Sequence, residues 1–325
     1  MRQARAIAAR LLQLAFVLWA VVTILFLLFR LMPGSPIAAY IDPTFTAEQQ
    51  EILMAKFGLD KPLISQYFTY MGNLLQGELG TSFRYRVPVS DRIWALLPNT
   101  LILTFSSLFI AYTFGILAGA WLAWKRGTVV EKISLTVVLT TRAMPEFWLG
   151  MVLLAVFSFW MGWFPAGGTR SPGAEYNGFW DLYTSGDFLT HLALPAATLA
   201  IYSQGLPLLL MRSNMLDVMK EDFVTMARVK GLSNWAVIVR HAARNALLPV
   251  MTSFAISVGY QLQGNVVVES VFSWPGLGRE LVTAVSASDY PLAQGAFLMI
   301  ALVVILMNLI ADMLYAVLDP RISHA

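Results

Sequence analysis

The chain has 325 residues, 58% of them hydrophobic and only 13% charged, with no cysteine and three histidines. An ordinary soluble domain carries about 25% charge, so the composition points to a membrane protein. The missing cysteines exclude disulfides, thiolate metal sites and cysteine nucleophiles, and His191, His241 and His324 are too scattered to suggest a metal site.

The first predicted element is Leu11–Phe29, 19 uncharged residues. A signal peptide has an apolar run of roughly 7–15 residues and a small-residue cleavage site; no A-x-A pattern follows here, so the run reads as a retained transmembrane helix, with Arg30 snorkelling from its end. The next segment carries a capping box at Thr46–Gln49 before Ile52, Leu53 and Phe57. Gly58 suits a helix end, and Pro62 opens a second short helix through Tyr67 and Leu74. Further spans of about 20 residues are expected at Asn99–Trp124, within Ile133–Phe164, and at Leu192–Met211, Ala246–Val268 and Tyr290–Leu318. In the third, Arg142 and Glu146 lie four apart, set to pair on one helix face, with Pro145 bending the helix. In the sixth, capping or pairing with Arg321 suits Asp312 as well as a transport role does.

Lys and Arg set the orientation. Arg2, Arg5, Arg10, Lys125, Arg126, Lys132, Arg212, Lys220, Arg228, Lys230, Arg240, Arg244 and Arg321 lie in one alternate set of segments, against Arg170 and Arg279 in the other. The long segment after the first span holds five more, but long loops weigh little. Six spans with both termini cytoplasmic follow.

Asp222–Val250 is basic and has no apolar run able to span a bilayer. It reads as helix, turn, helix. Phe223, Met226 and Ala227 form an apolar face, Gly231 stops the helix in a left-handed conformation, and Ser233 or Asn234 caps the next one. Trp235, Ile238, Val239 and Ala242 recur at helical spacing. An amphipathic helix on anionic headgroups and a docking element for a cytoplasmic partner both fit these residues.

Within the spans, Gln204, Gln261, Gln263, Asn265 and Asn308 carry amides too polar for bare lipid; lining a route and bonding between helices are equal readings. On the outer side, Trp274–Pro275–Gly276 forms a turn before a short helix over Arg279–Ala287. It is either an interface anchor with Tyr290 or an outer gate, in which case a bulky residue at Gly276 uncouples transport without harming assembly. No G-x-x-x-x-G-K-[ST] occurs, so the chain holds no phosphate-cradling ATPase loop, and His191 and His324 show no acidic partner nearby. Arg142, Glu146 and Asp312 alone could serve an ion-coupled secondary transporter. A channel or scaffold has no distinct motif here.

The Asp222–Val250 segment resembles the coupling loop of ATP-binding-cassette importer permeases, whose signature is E-A-A, a glycine further on, then leucine-proline. Ala227, Gly231 and Leu248–Pro249 match; Thr225 and Met226 depart. The long spacing from Gly231 resembles the dipeptide/oligopeptide/nickel branch. So do RLMPGSP (Arg30–Pro36, with Ser35 in place of the usual acid), FGLDKPLISQY (Phe57–Tyr67), GELGTSFRYRVPV (Gly77–Val89), MPEFWLG (Met144–Gly150), ESVFSWPGLG (Glu269–Gly278), DYPLAQG (Asp289–Gly295) and DPRI (Asp319–Ile322). The resemblance spans nearly the whole chain and points to the first of two permeases. It implies a single all-α permease domain, 1–325, of the type I ABC importer fold in a bacterial inner membrane. Within it, a helical periplasmic insertion covers about 33–97, a coupling loop about 212–245 and a periplasmic re-entrant or gate segment about 269–290. Thr225, Ala227, Arg228, Lys230, Gly231, Leu232, Trp235, Leu248 and Pro249 are its expected coupling residues. It also implies a second homologous permease, two ATPases that bind ATP and Mg, a periplasmic or lipid-anchored solute-binding protein and membrane lipid as partners, with no nucleic acid and no cofactor in this chain. Peptides lead as solute; nickel chelates, glutathione, opines and sugar-like solutes use similar permeases.

Overall fold

The uncharged run at the start folds as one helix, α1 (Arg2–Arg30), in a computed structural model that describes residues 2–31, 46, 48 and 60–318, with the backbone alone at 2–11, 234, 241, 255, 263, 264 and 311–318. The expected capping box, Gly58, most of Arg30–Pro36 and the terminal Asp319–Ile322 with His324 lie outside the described residues, as do the side chains of Asp312 and Gln263. After α1 come α2 (Leu63–Leu75), α3 (Val89–Trp124), α4 (Val129–Ala143), α5 (Glu146–Leu153, continued by a π-helical stretch Leu154–Trp160), α6 (Phe179–Thr184), α7 (Gly186–Ser203), α8 (Gly205–Val218), α9 (Asp222–Val229), α10 (Asn234–Ala236, running through π-helical Val237–Ala242 into α11, Ala243–Val271), α12 (Leu277–Ser286) and α13 (Tyr290–Leu318). The described residues contain no strand, only an isolated bridge between Thr81 and Pro88.

Among the described residues three helices are long and apolar enough to cross a membrane, at Leu12–Arg30, Val89–Trp124 and Tyr290–Ile310; counting the bent pairs α4–α5 and α7–α8 as one span each gives five. The expected span Ala246–Val268 lies on α11, which is long enough at about 43 Å. Its Ser, Gln and Asn side chains make it too polar to qualify by composition. The bend between α4 and α5 is 105°. Met144, ahead of Pro145, is extended with ψ 145°, the conformation that a following proline favours. The pairing expected of Arg142 and Glu146 therefore fails. They stand on separate helices, no ion pair of either occurs among the described residues, and Arg142 lies alongside Gly205.

By packing, the chain divides into Met1–Pro98 with Gly276–Ile305, and Asn99–Pro275 with Leu306–Ala325. In the first unit Val22, Leu25, Phe26 and Phe29 form the buried stripe of α1 at helical spacing. Phe26 meets the rings of Tyr67 and Tyr70 on α2, and Tyr67 bonds Trp19 and Thr23. Burial pushes the Tyr70 phenol up to about 12. Arg30, half-buried, lies over the Phe26 ring at 5.7 Å. The Asp289 carboxylate caps α13 by accepting from Leu292 N at 3.3 Å, and it gathers Ser82 Oγ (2.5 Å), Phe83 N (3.1 Å) and Arg84 N (3.0 Å). Two of the sequence stretches singled out above, Gly77–Val89 and Asp289–Gly295, are thus tied by one carboxylate. Arg92 grips Glu280 of α12 through two bonds of 3.2 and 3.1 Å.

In the second unit the core gathers Leu103, Phe188, Leu192, Leu199, Val268, Phe272 and Trp274. Thr128 and Glu131 form a reciprocal cap at the start of α4: Glu131 N donates to Thr128 Oγ1 (3.3 Å), and Gly127 N donates to Glu131 Oε2 (2.6 Å). Arg212 of α8 then pairs with that carboxylate. Gly115 and Gly119 of α3 let α8 approach: a Cβ on Gly119 would stand 2.5 Å from Leu208 O and 2.9 Å from Met211 Cβ.

Candidate functional site

The Asp222–Val250 stretch forms the helix–turn–helix elbow that its residues predict. Helix α9 ends at Val229, and Lys230 caps it. Gly231 follows at φ +79°, in the left-handed region that costs other residues about 1–2 kcal/mol. Gly231 N donates to Arg228 O (2.9 Å) and Leu232 N to Ala227 O (3.3 Å), which satisfies carbonyls left over at the helix end. Of the two expected caps, Ser233 serves, its Oγ accepting from Ala236 N at 3.3 Å. α9 packs on the π-helical turn Val237–Ala242, so the two arms brace each other. From Asn234 the backbone stays helical through Pro249 to Val271, which makes the second arm continuous with α11.

The apolar face differs from the one expected. Val224 and Ala227 point inward, whereas Phe223 and Met226 are exposed. Small Ala227 is what lets α9 lie close to its neighbours. With Val229 (83% exposed), Leu232 and Trp235 (75%), Phe223 and Met226 make an apolar surface without a partner among the described residues. Arg228, Lys230, Arg240 and Arg244 of the same stretch are also exposed, as are Glu221, Asp222, Thr225, Leu248 and Pro249. A cluster of exposed large side chains on a braced elbow is the anatomy of a contact surface.

The polar groups of α11 are buried and bonded. Gln261 Oε1 accepts from Ser203 Oγ of α7 at 2.8 Å, and Asn265 Nδ2 donates to Thr104 Oγ1 of α3 at 2.5 Å. They belong to a longer stripe with Ser253 and Ser257, both bonded to the Tyr112 hydroxyl, and Glu269, which accepts from Thr100 Oγ1 at 2.7 Å. Gln261 Nε2 and Asn265 Oδ1 have no partner among the described residues, although Asn265 is 0% exposed. Gln204 sits half-buried at the 42° break between α7 and α8, and Asn308 is exposed. The structure therefore brings Gln261 and Asn265 into one polar stripe and leaves Asn308 outside it.

Trp274 does not anchor in an interface. It is 0% exposed, packs on Phe188 at 5.6 Å and donates Nε1 to Asn99 O at 3.1 Å. Asn99 Nδ2 in turn donates to Pro275 O at 2.8 Å. The turn at Pro275 is thereby fixed to the head of α3's second-unit portion, and the short helix expected after it is α12. Gly276 is extended at φ −118°. His191, for which the sequence suggested no acidic partner, has one a helical turn earlier: its Nδ1 lies 3.5 Å from Asp187 Oδ1. That carboxylate also accepts from Ser171 Oγ and Tyr176 OH, and the Tyr176 bond holds the phenol above its ordinary value.

Residues 115–324 match the family model described as the binding-protein-dependent transport system inner membrane component, and residues 3–104 match that of the same membrane component's N-terminal part. The chain belongs to this permease family. It is 41% identical to the di/tripeptide transport system permease protein DppB of Pseudomonas aeruginosa (strain UCBPP-PA14), over 98% of each chain. It is 39% identical to the oligopeptide transport system permease protein AppB of Bacillus subtilis (strain 168), over 93% of this chain and 94% of that one. Against the glutathione transport system permease protein GsiC of Escherichia coli (strain K12) it is 38% identical over 97% of each. A chain of the MetNI methionine ABC transporter, solved in inward-facing conformations, shares the fold at TM-score 0.57 and 14% identity, covering 70% of this chain and 96% of that chain. The permease family thus supplies the fold and the membrane role, and the elbow is a feature of this chain's own geometry. What the sequence reading missed in this permease is the spacing Gly115-x-x-x-Gly119, a legible signal for close helix approach, and Ser253, Ser257 and Glu269, whose partners lie too far along the chain to be read from it.

Proposed function

We propose that this permease is the first transmembrane subunit of an ATP-driven importer, carrying peptides or a similar small solute from a solute-binding protein into the cytoplasm. Both termini and the elbow lie on the cytoplasmic side in this reading. A second homologous permease completes the route, and two ATPases, which hold ATP and Mg, grip the elbows. This chain contributes no catalysis.

The observation that carries the reading is the elbow itself. Phe223, Met226, Val229, Leu232 and Trp235 offer an apolar surface without a partner among the described residues, with exposed Arg228, Lys230 and Arg240 on the same elbow, on two arms joined at Gly231. A groove on an ATPase suits that shape, and the sequence signature at Ala227, Gly231 and Leu248–Pro249 agrees. Because the second arm continues into α11, a pull on the elbow reaches the polar stripe Ser253–Glu269 along one helix. Trp274–Pro275–Gly276 serves as the outer gate, and the Gln261–Asn265 stretch with Gln204 borders the route. The peptide solutes named for DppB and AppB support the solute class.

The test is a pair of variants at Gly231. Valine resists the left-handed conformation, whereas asparagine tolerates it; open space around the Cβ position removes steric clash as an explanation. Gly231→Val should abolish ATP-coupled uptake in proteoliposomes and release the ATPases from the membrane, while Gly231→Asn keeps most of both. Persistence of membrane-bound ATPase and uptake in the valine variant would overturn the docking role.

A further inference from the structure

The elbow's inner flank holds a basic hollow, to which Arg228 of the elbow contributes. Trp124 and Arg126 at the end of α3, Leu216, Met219 and Lys220 at the end of α8, and Arg228 of α9 line a cavity of about 300 Å3. None of its lining residues is acidic. Arg126 and Arg228 make no ion pair within 4 Å among the described residues, although the Glu131 carboxylate, itself held by Arg212, is near enough to attract Arg126. Among the described residues Lys220 pairs with Asp217 at 3.0 Å, with both side chains open to water, a pair that exchanges readily.

The position adds a second argument. α3 is a candidate span that stops at Trp124, and the bent span α7–α8 stops at Val218. The cavity therefore sits where two spans run out, at headgroup depth, where tryptophan concentrates. Its walls are mixed: three cations for an anion, with the Trp124 indole, Leu216 and Met219 for carbon. Guanidinium groups hold phosphate oxygens in a two-pronged fork, and a basic pocket between helix ends attracts anionic lipid.

We propose that this cavity seats the headgroup of an anionic phospholipid, its phosphodiester on Arg126, Lys220 and Arg228 and its glycerol and first acyl carbons along Trp124, Leu216 and Met219. The site needs the chain in a membrane but neither ATP nor solute, so it stands apart from the transport reading. Free phosphate offers the same charge without the carbon, and the apolar wall favours the lipid.

The experiment uses the full chain with its co-purifying subunits, stripped of lipid in detergent and titrated with phosphatidylglycerol or phosphatidylcholine under native mass spectrometry. Wild type should retain one phosphatidylglycerol that phosphatidylcholine does not replace and that millimolar inorganic phosphate does not displace. Arg126→Gln and Lys220→Gln should each weaken it about fivefold and the double variant roughly 30-fold, whereas Arg126→Lys with Lys220→Arg, which keeps both charges, should bind more tightly than the double glutamine variant. Equal retention by the glutamine variants, or equal retention of phosphatidylcholine, would overturn the proposal. Displacement by inorganic phosphate would assign the cavity to the free anion instead.

Discussion

Trp274 fills a space and closes a hydrogen bond at once. Its ring is sealed against Phe188, and its N–H meets the Asn99 carbonyl. Trp274→Ala should lower stability by about 3–5 kcal/mol, read as a collapse of the thermal midpoint in detergent. Trp274→Phe keeps most of the volume and loses only the bond, so about 1 kcal/mol is expected. Equal losses in the two variants would show that packing carries nothing here. The sequence displayed this tryptophan beside a Pro-Gly turn but not its surroundings, because Asn99 lies 175 residues away. Gly231 is the opposite case: its demand is local, a positive φ between two helices, and the residues themselves announce it.

Among elements, the crossing of α3 with α8 is the most demanding. Gly115 would place a Cβ 2.8 Å from Pro207 Cγ, and Gly119 one 2.5 Å from the Leu208 carbonyl oxygen. Backbone cannot step aside as a side-chain tip can, so Gly119→Ala should cost about 1–3 kcal/mol through overpacking. Gly72→Ala on α2, where a Cβ meets nothing within 4 Å, should change stability by no more than about 1 kcal/mol. Thermal unfolding of both in the same detergent checks the contrast; matching midpoints would remove close approach as the reason for Gly119. The long helices were legible from their apolar runs. Bend angle was not. Pro145 marks a bend, but the 105° turn depends on how the halves pack, and the pairing of Arg142 with Glu146 assumed one continuous, bent helix that Met144 instead divides in two.

For the molecule as a whole, the membrane character and the family follow from composition, from ordered motifs and from identity near 40% with curated permeases. The proposed energy source makes a sharp prediction against an ion-coupled carrier. Reconstituted alone, the chain should show no uptake driven by a proton or sodium gradient; with its partner subunits, uptake should require internal ATP. Gradient-driven accumulation by the lone chain would favour the carrier. A mechanical consequence lies in α11. Ser253, Ser257, Gln261, Asn265 and Glu269 recur over about 24 Å, each fastened to α3 or α7. Spinning such a rod on its axis would strip all five fastenings together, whereas tipping it with its neighbours strips none. If the elbow is pulled as proposed, these fastenings would turn a torque on it into a lean of α11 with its neighbours, the threaded edge acting as a keyway against free rotation.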